Sequence, residues 1–265
     1  MQILSLNPSD LDLLPQIQPL DWTDIRIPVS SYLEPEYCYP FKAIIDDVLV
    51  GTGTAILHEK TGWLSTIVTH GQYRNQGIGK HITEHLLDFL LKQNCEYIYL
   101  IATILGEPVY RKLGFITESR YNSYKDINLE NLLISKNINP YQSDYKQAIF
   151  ELDKIISGED RSQHLETFLS DSFVYLQNEQ VAGVYFPSFG DGLIVANAET
   201  AGLELMKKRF QKFNMACFPE ENKTAHDFML LSGYEPIMNP ARMYFGKQMP
   251  WKPEGLYNRV GGNIG

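Results

Sequence analysis

The residues of this chain best suited to chemistry are Arg74-Asn75-Gln76-Gly77-Ile78-Gly79-Lys80. This group stands between a short apolar run, residues 64–69, and a series Ile82, Leu86, Leu87, Leu90 and Leu91 at helical spacing. A helix beginning at the glycines presents unpaired backbone N–H donors and the positive end of its dipole to the turn. Without a Cβ, Gly77 and Gly79 would let a phosphate come close to those donors, and Arg74 or Lys80 would add charge. Two familiar phosphate patterns do not fit. A P-loop needs Ser or Thr after the lysine and this chain has His81, while the dinucleotide fingerprint needs a third glycine where Ile82 stands. His81 and His85 also lack the glutamate of a zinc-binding H-E-x-x-H helix, so no metal chemistry is expected. The competing reading is a glycine-rich helix start with no ligand, and the flanking chain decides between them.

The elements that must position these groups are legible as patterns. Residues 39–45, 48–58 and 62–69 predict an antiparallel meander, with turns at Asp46-Asp47 and at residues 59–62. The helix after the glycines should end near Asn94, followed by a buried apolar strand over 97–102. A short helix from about 106 to 113 would stop at Gly114, the usual left-handed terminator, before a returning strand over 115–124. Upstream, residues 2–6 suggest a first strand, and Leu11 to Leu20 a helix interrupted at Pro15. Asp21-Trp22-Thr23-Asp24 and Ser31-Tyr32-Leu33-Glu34-Pro35-Glu36-Tyr37 read as irregular aromatic and acidic stretches.

The R-x-x-G-x-G run of Arg74 to Gly79 resembles the pyrophosphate loop of the GNAT superfamily of acyl-CoA N-acyltransferases. Val109-Tyr110-Arg111-Lys112-Leu113-Gly114-Phe115 resembles that family's second signature, a tyrosine four residues ahead of a glycine-aromatic pair. The two motifs stand in the right order, separated by one helix, one strand and one short helix. The resemblance implies an α/β (α+β) fold with a mixed central sheet flanked by helices, and acetyl-CoA as cosubstrate. It places the pyrophosphate on Arg74, Asn75, Gln76, Gly77, Ile78, Gly79 and Lys80. The pantetheine would lie along Ile67, Val68 and Thr69 like an added strand, with an oxyanion donor around Val68 or Thr69. Tyr110 would be the general acid for the departing thiolate; the alternative is a core tyrosine on a short helix. Thr103 stands where many relatives carry a cofactor-contacting asparagine, a departure from the family pattern. For the base that deprotonates the amine, Asp24, Glu34, Glu36 and His70 are conceivable and none is assigned. The early aromatic and acidic stretches would form one wall of the acceptor site, against the plainer reading of core aromatics and solvated carboxylates.

The second half repeats the first in outline. Laying Gly114-Phe115 on Gly233-Tyr234 sets the long helix on residues 200–213 and the apolar strand on 215–219. The chemistry is lost: Arg74, Gly77 and Gly79 fall on Leu193, Ala196 and Ala198, and Tyr110 falls on Met229. The chain is therefore read as a catalytic GNAT domain over 1–126, a linker over 127–144, a degenerate GNAT-like domain over 145–246 and a tail over 247–265, with one active site. It resembles bacterial tandem proteins of that kind. The second domain would close over the acceptor or make a homodimer, and Trp251 and Tyr257 are candidates for acceptor contacts.

Composition sets the outer bounds. A chain with 44% hydrophobic and 12% aromatic residues can bury ample cores, and a net charge of −9 argues against coating nucleic acid. Cys38, Cys95 and Cys217 form neither a disulfide framework nor a metal quartet. No run is long and apolar enough for a membrane span, and no signal peptide is expected, so a cytoplasmic setting is the default. The expected activity is transfer of an acetyl group to a primary amine of a small molecule or peptide. The alternative from another class is an acyl-CoA-binding sensor without chemistry.

Overall fold

The computed structural model describes residues 1–20, 22, 24–129 and 132–264, which form two compact units. The first unit contains residues 1–117, 243–248 and 262–264. Its strands and helices run β1 (Gln2–Ser5), α1 (Arg26–Ser31), β2 (Cys38–Ile45), β3 (Val48–His58), β4 (Thr61–Thr69), α2 (Ile78–Lys92), β5 (Tyr97–Ala102) and α3 (Glu107–Lys112), and β6 (Ile116–Tyr124) begins in it. β1 to β4 are antiparallel neighbours in chain order, and β5 joins β4 in parallel after the α2 crossover. Asp46 and Asp47, at φ 48° and 62°, make the β2–β3 turn with the left-handed pair that matches strand twist. The expected kinked helix near the N-terminus is instead a 3-10 helix, Pro8–Gln16, started by a capping box between Asn7 and Asp10. Pro15 inside it lacks the N–H that an α-helical ladder would use. Between the two stretches expected to be irregular, residues 21–24 and 31–37, stands the short α1, which takes in Ser31 and whose Val29 is fully buried; Asp21 and Thr23 lie outside the described residues.

α2 lies on β3 and β4 through Ile78, Ile82, Thr83, Leu86, Leu87 and Leu90. The sheet meets it with glycines. A Cβ on Gly51 or Gly53 would stand 2.7 Å from Ile82, and one on Gly62 would stand 2.7 Å from Leu90. Each buried aliphatic side chain on this face contributes roughly 1.5–3 kcal/mol, so the close approach is strongly enforced.

The second unit contains residues 118–242 and 249–261. β7 (Ile138–Pro140), α4 (Lys146–Ser157) and α5 (Ser162–Glu166) precede β8 (Phe173–Gln177), β9 (Gln180–Phe186), β10 (Leu193–Ala196), α6 (Glu199–Phe210), β11 (Ala216–Pro219) and α7 (Lys223–Leu231). The succession from β8 to α7 repeats that from β2 to α3, so the mixed α/β fold is present twice. Then come β12 (Ala241–Gly246), which enters the first unit from Met243 onward, and β13 (Leu256–Asn258). The sheet order is β13-β10-β9-β8-β7, while β11 pairs with β6. The limits of the units differ from the sequence reading. The first stops at Thr117, before the expected 126; the stretch 127–144 carries β7; and the stretch expected as a tail carries β13. Glu130 and Asn131 of that linker lie outside the described residues.

Candidate active site

β4 and β5 separate part-way along their length. Their parallel pairing runs from Thr61↔Tyr97 to Leu64↔Leu100 and, among the described residues, does not continue. β4 itself goes on to Thr69, still paired with β3. A bulge marks the parting: the register with β3 shifts between Thr52 and Thr54, and Thr66 sits at φ 48°. A β-branched residue rarely adopts that backbone, and holding it there costs about 1–3 kcal/mol. Beyond the bulge the direction of the free groups follows from alternation. His70 N–H donates to Val50 carbonyl at 2.9 Å, so Val50 and His70 are a hydrogen-bonded pair. Thr52↔Val68 is the next such pair, and Gly51↔Thr69 lies between them. Thr69 N–H, and Ile67 N–H before it, therefore face away from β3, toward the side where β5 has departed.

The loop follows at once. Arg74, Asn75, Gln76 and Gly77 are exposed, and Asn75 and Gly77 are left-handed at φ 63° and 82°. Left-handed residues alternating with ordinary ones make successive backbone N–H groups converge into an anion-binding concavity. Gly77 caps α2 with no side-chain hydrogen bond, and the first turn holds no acidic residue. The first intrahelical bond is His81 N–H to Gly77 carbonyl at 3.0 Å, which leaves the N–H groups of Ile78, Gly79 and Lys80 without helical acceptors. Ile78 anchors this end in the core, 4% exposed. A Cβ on Gly79 would lie 3.3 Å from Thr69 Oγ1, so the loop is seated against the end of β4. Lys80 is exposed and pairs with Glu84 at 3.3 Å.

Tyr110 is half-buried on α3, its ring edge-on to Phe115 with centroids 6.0 Å apart. Burial pushes its phenol up to about 12, so it keeps its proton at neutral pH. Among the described residues no side chain makes a hydrogen bond to its hydroxyl. Thr103 Oγ1 accepts Gly106 N–H at 3.1 Å and Thr103 carbonyl accepts Glu107 N–H at 2.9 Å, so this residue starts α3. Its side chain is exposed, with its own O–H still to give.

Of the other candidates, the histidines and Asp24 have structural partners. His70 Nδ1 accepts Gln72 N–H at 3.2 Å, and His81 Nδ1 lies 2.9 Å from Gly77 carbonyl. His85 packs edge-on against Phe41 at 4.7 Å, and burial lowers its pKa. Asp24 is held below the usual carboxylate range by its hydrogen bonds to Arg26. Glu34 and Glu36 are exposed. Sequence reasoning missed Gly51, Gly53 and Thr66, which set α2 against the sheet and open β4. Gly51-Thr52-Gly53-Thr54, glycines alternating on one face of an apolar strand, was the available signal.

The corresponding place in the second unit is built differently. β10 is followed within two residues by α6, with no loop between them. β13 lies along β10, pairing Ile194↔Asn258 and Val195↔Leu256. On its other side Arg259 N–H donates to Cys217 carbonyl at 2.8 Å, and Asn258 Oδ1 accepts Cys217 N–H at 2.9 Å. The strip between β10 and β11, which matches the opening between β4 and β5, is thus taken up by residues 256–259. Tyr257, a candidate acceptor contact from the sequence, is 2% exposed and packs where a Cβ on Gly202 would stand 2.2 Å from its ring. Trp251 stacks under the Arg242 guanidinium at 4.1 Å.

The parted strand with its left-handed anion loop defines the acyl-CoA N-acyltransferase class of fold, and comparison with known proteins agrees. Residues 9–115 match the acetyltransferase (GNAT) family model, so the chain carries a GNAT-family domain, and that match supports acyl transfer as its general chemistry. A protein from Pyrococcus horikoshii assigned as an acetyltransferase superposes over 100% of this chain and 95% of its own, at TM-score 0.83 and 19% identity. A tandem GNAT protein from the clavulanic acid biosynthesis pathway superposes over 93% of this chain and 99% of its own, at TM-score 0.61 and 12% identity. A GCN5-related N-acetyltransferase from Anabaena variabilis covers 92% of this chain with 72% of its own, at TM-score 0.60 and 12% identity. At these identities the superpositions speak to fold alone. No curated protein matches the sequence. Among the described residues no helix is long and apolar enough to cross a membrane.

Proposed function

We propose that the first unit is an acetyl-CoA-dependent N-acetyltransferase acting on a primary amine of a small molecule or peptide. The observation that carries this reading is the abutment of two features: β4 parts from β5 after Leu64, and the anion loop from Arg74 to Lys80 sits at the end of the exposed edge. A pantetheine amide chain fits a strand edge with outward N–H groups, and its pyrophosphate fits the loop. The amine attacks the thioester carbonyl, and Thr69 or Ile67 N–H stabilises the oxyanion as the C–N bond forms. The C–S bond then breaks, Tyr110 O–H protonates the sulfur that inherits the electron pair, and the proton shed by the attacking nitrogen passes to water, from which the phenolate recovers its own. Tyr110, its phenol raised to about 12 by burial, is protonated when the C–S bond breaks and so has a proton to give. Thr103, exposed at the start of α3, is a further candidate contact for the cofactor.

Titration calorimetry with acetyl-CoA tests binding, and thiol release in the presence of a panel of amines tests transfer. Tyr110→Phe should lower turnover about 10²- to 10⁴-fold while leaving the dissociation constant for CoA nearly unchanged. Full turnover in that variant would remove Tyr110 from the mechanism. Tight acetyl-CoA binding without thiol release toward any amine would favour an acyl-CoA sensor.

A further inference from the structure

Three hydroxyls meet at the bulge where β4 opens, and the mechanism above uses none of them. Asn263 Nδ2 donates to Tyr32 Oη at 2.6 Å, Tyr32 Oη lies 3.3 Å from Ser65 Oγ, and Ser65 Oγ lies 3.0 Å from Thr66 Oγ1. All four residues belong to the first unit. The protons can be counted. Because the amide N–H of Asn263 donates, no hydroxyl proton is spent on it. Three hydroxyl protons then serve the two hydroxyl–hydroxyl contacts at 3.3 and 3.0 Å, which leaves one over; without a ligand that proton can turn back toward Tyr32, with which Thr66 also interacts. Tyr32 and Ser65 are only 3% and 1% exposed, and a buried O–H without an acceptor is costly. Thr66 is half-buried and stands two residues beyond the last β4–β5 rung. The arrangement that satisfies both buried donors runs Asn263 to Tyr32 to Ser65 to Thr66, so the surplus proton belongs to Thr66. Thr66 itself stands at the root of the opening, on a backbone whose left-handed φ of 48° makes the bulge.

We propose that Thr66 O–H is a second hydrogen-bond donor to the carbonyl oxygen of the bound thioester, and that Asn263 acts through Tyr32 as a positioning residue that sets the direction of the chain. This rests on the acyl-CoA reading of the same site. The ligand group it recognises is a carbonyl oxygen, which a thioether analogue lacks.

The test compares the dissociation constants of acetyl-CoA and S-ethyl-CoA by calorimetry on the full chain. Removing one neutral hydrogen bond should reduce the preference for acetyl-CoA about 2- to 10-fold in Thr66→Val, with S-ethyl-CoA binding unchanged. Asn263→Asp should give the same loss without touching Thr66. A carboxylate accepts the Tyr32 proton, Ser65 then donates to Tyr32 and Thr66 to Ser65, and no donor is left for the ligand. An unchanged preference in Thr66→Val overturns the proposal. A loss in Thr66→Val with none in a folded Asn263→Asp overturns the role of Asn263. If circular dichroism shows Asn263→Asp to be unfolded, the Thr66→Val ratio alone decides. Wild-type protein that binds neither analogue would instead refute the acyl-CoA reading beneath it.

Discussion

A Cβ added at Gly106 would stand 2.9 Å from Tyr110 Cε2 and 3.4 Å from Cζ, so the ring of the candidate acid leans on a residue with no side chain. Gly106 has ordinary φ, −80°, and alanine there brings no backbone strain. Gly106→Ala should therefore act by displacing the phenol. We expect turnover to fall by at least about tenfold while CoA affinity stays within about twofold, since misplacing a reacting group costs rate more than binding. The protonation of Tyr110 gives a second check. A phenol at about 12 is neutral below that value, so its ionisation should not reduce the rate until the pH approaches 12. Phenolate absorbance in wild type minus Tyr110→Phe should titrate there, above the usual value near 10. Tyr110 and the glycine loop were legible in the sequence because each lies inside a short contiguous motif. The partnership of Tyr32 with Asn263 was not, since nothing local links residues that far apart in the chain.

At the scale of elements, the site depends on how α2 begins and how closely it lies on the sheet. Gly77 caps the helix at φ 82°, and a Cβ there meets nothing nearer than 3.6 Å. Strain alone should decide Gly77→Ala. We expect about 1–2 kcal/mol loss of stability in urea unfolding, together with weaker CoA binding as the loop N–H groups splay. Gly53→Val differs in cause: its Cβ would collide with Ile82 at 2.7 Å and Leu86 at 2.9 Å, prising α2 from β3. Overpacking of this kind costs typically about 1–3 kcal/mol, and the loop at the end of α2 should lose affinity with it. Differential scanning calorimetry and CoA titration on the same sample would check both effects. The meander, α2 and β5 were readable because apolar periodicity and turn residues mark them. The bulge at Thr66 was not readable, because one extra residue in a strand leaves the alternation almost intact. The 3-10 form of Pro8–Gln16 likewise gives nearly the same apolar spacing as an α-helix interrupted at Pro15.

Across the whole molecule, the two units share a succession of elements but differ in what lies between their parted strands. In the first unit that edge is open after Leu64↔Leu100; in the second, residues 256–259 occupy the equivalent strip. Repetition of the fold was visible in the sequence, but its register was not: Leu193 and Ala196, laid on Arg74 and Gly77, belong to β10, the counterpart of β4. The filling of the strip was not, because 256–258 is too short a run to announce itself as a strand. Asn258 holds it in place: buried at 1%, it accepts Cys217 N–H and donates to the carbonyls of Asp191 at 3.1 Å and Gly192 at 2.8 Å. A backbone strand seated by such bonds does what a pantetheine would do, and no anion loop precedes α6 to compete for a cofactor. Calorimetry of the full chain should therefore give one acetyl-CoA per chain. Asn258→Ala should leave that stoichiometry and affinity unchanged while lowering stability by about 1–3 kcal/mol for each buried group it orphans, less where another donor substitutes. Asp191 carbonyl retains the Arg209 Nε hydrogen bond at 3.0 Å, so Gly192 carbonyl and Cys217 N–H should carry most of the cost. Two acetyl-CoA molecules per wild-type chain would show that residues 256–259 yield to the cofactor, and that the second unit keeps a working slot beneath its own strand.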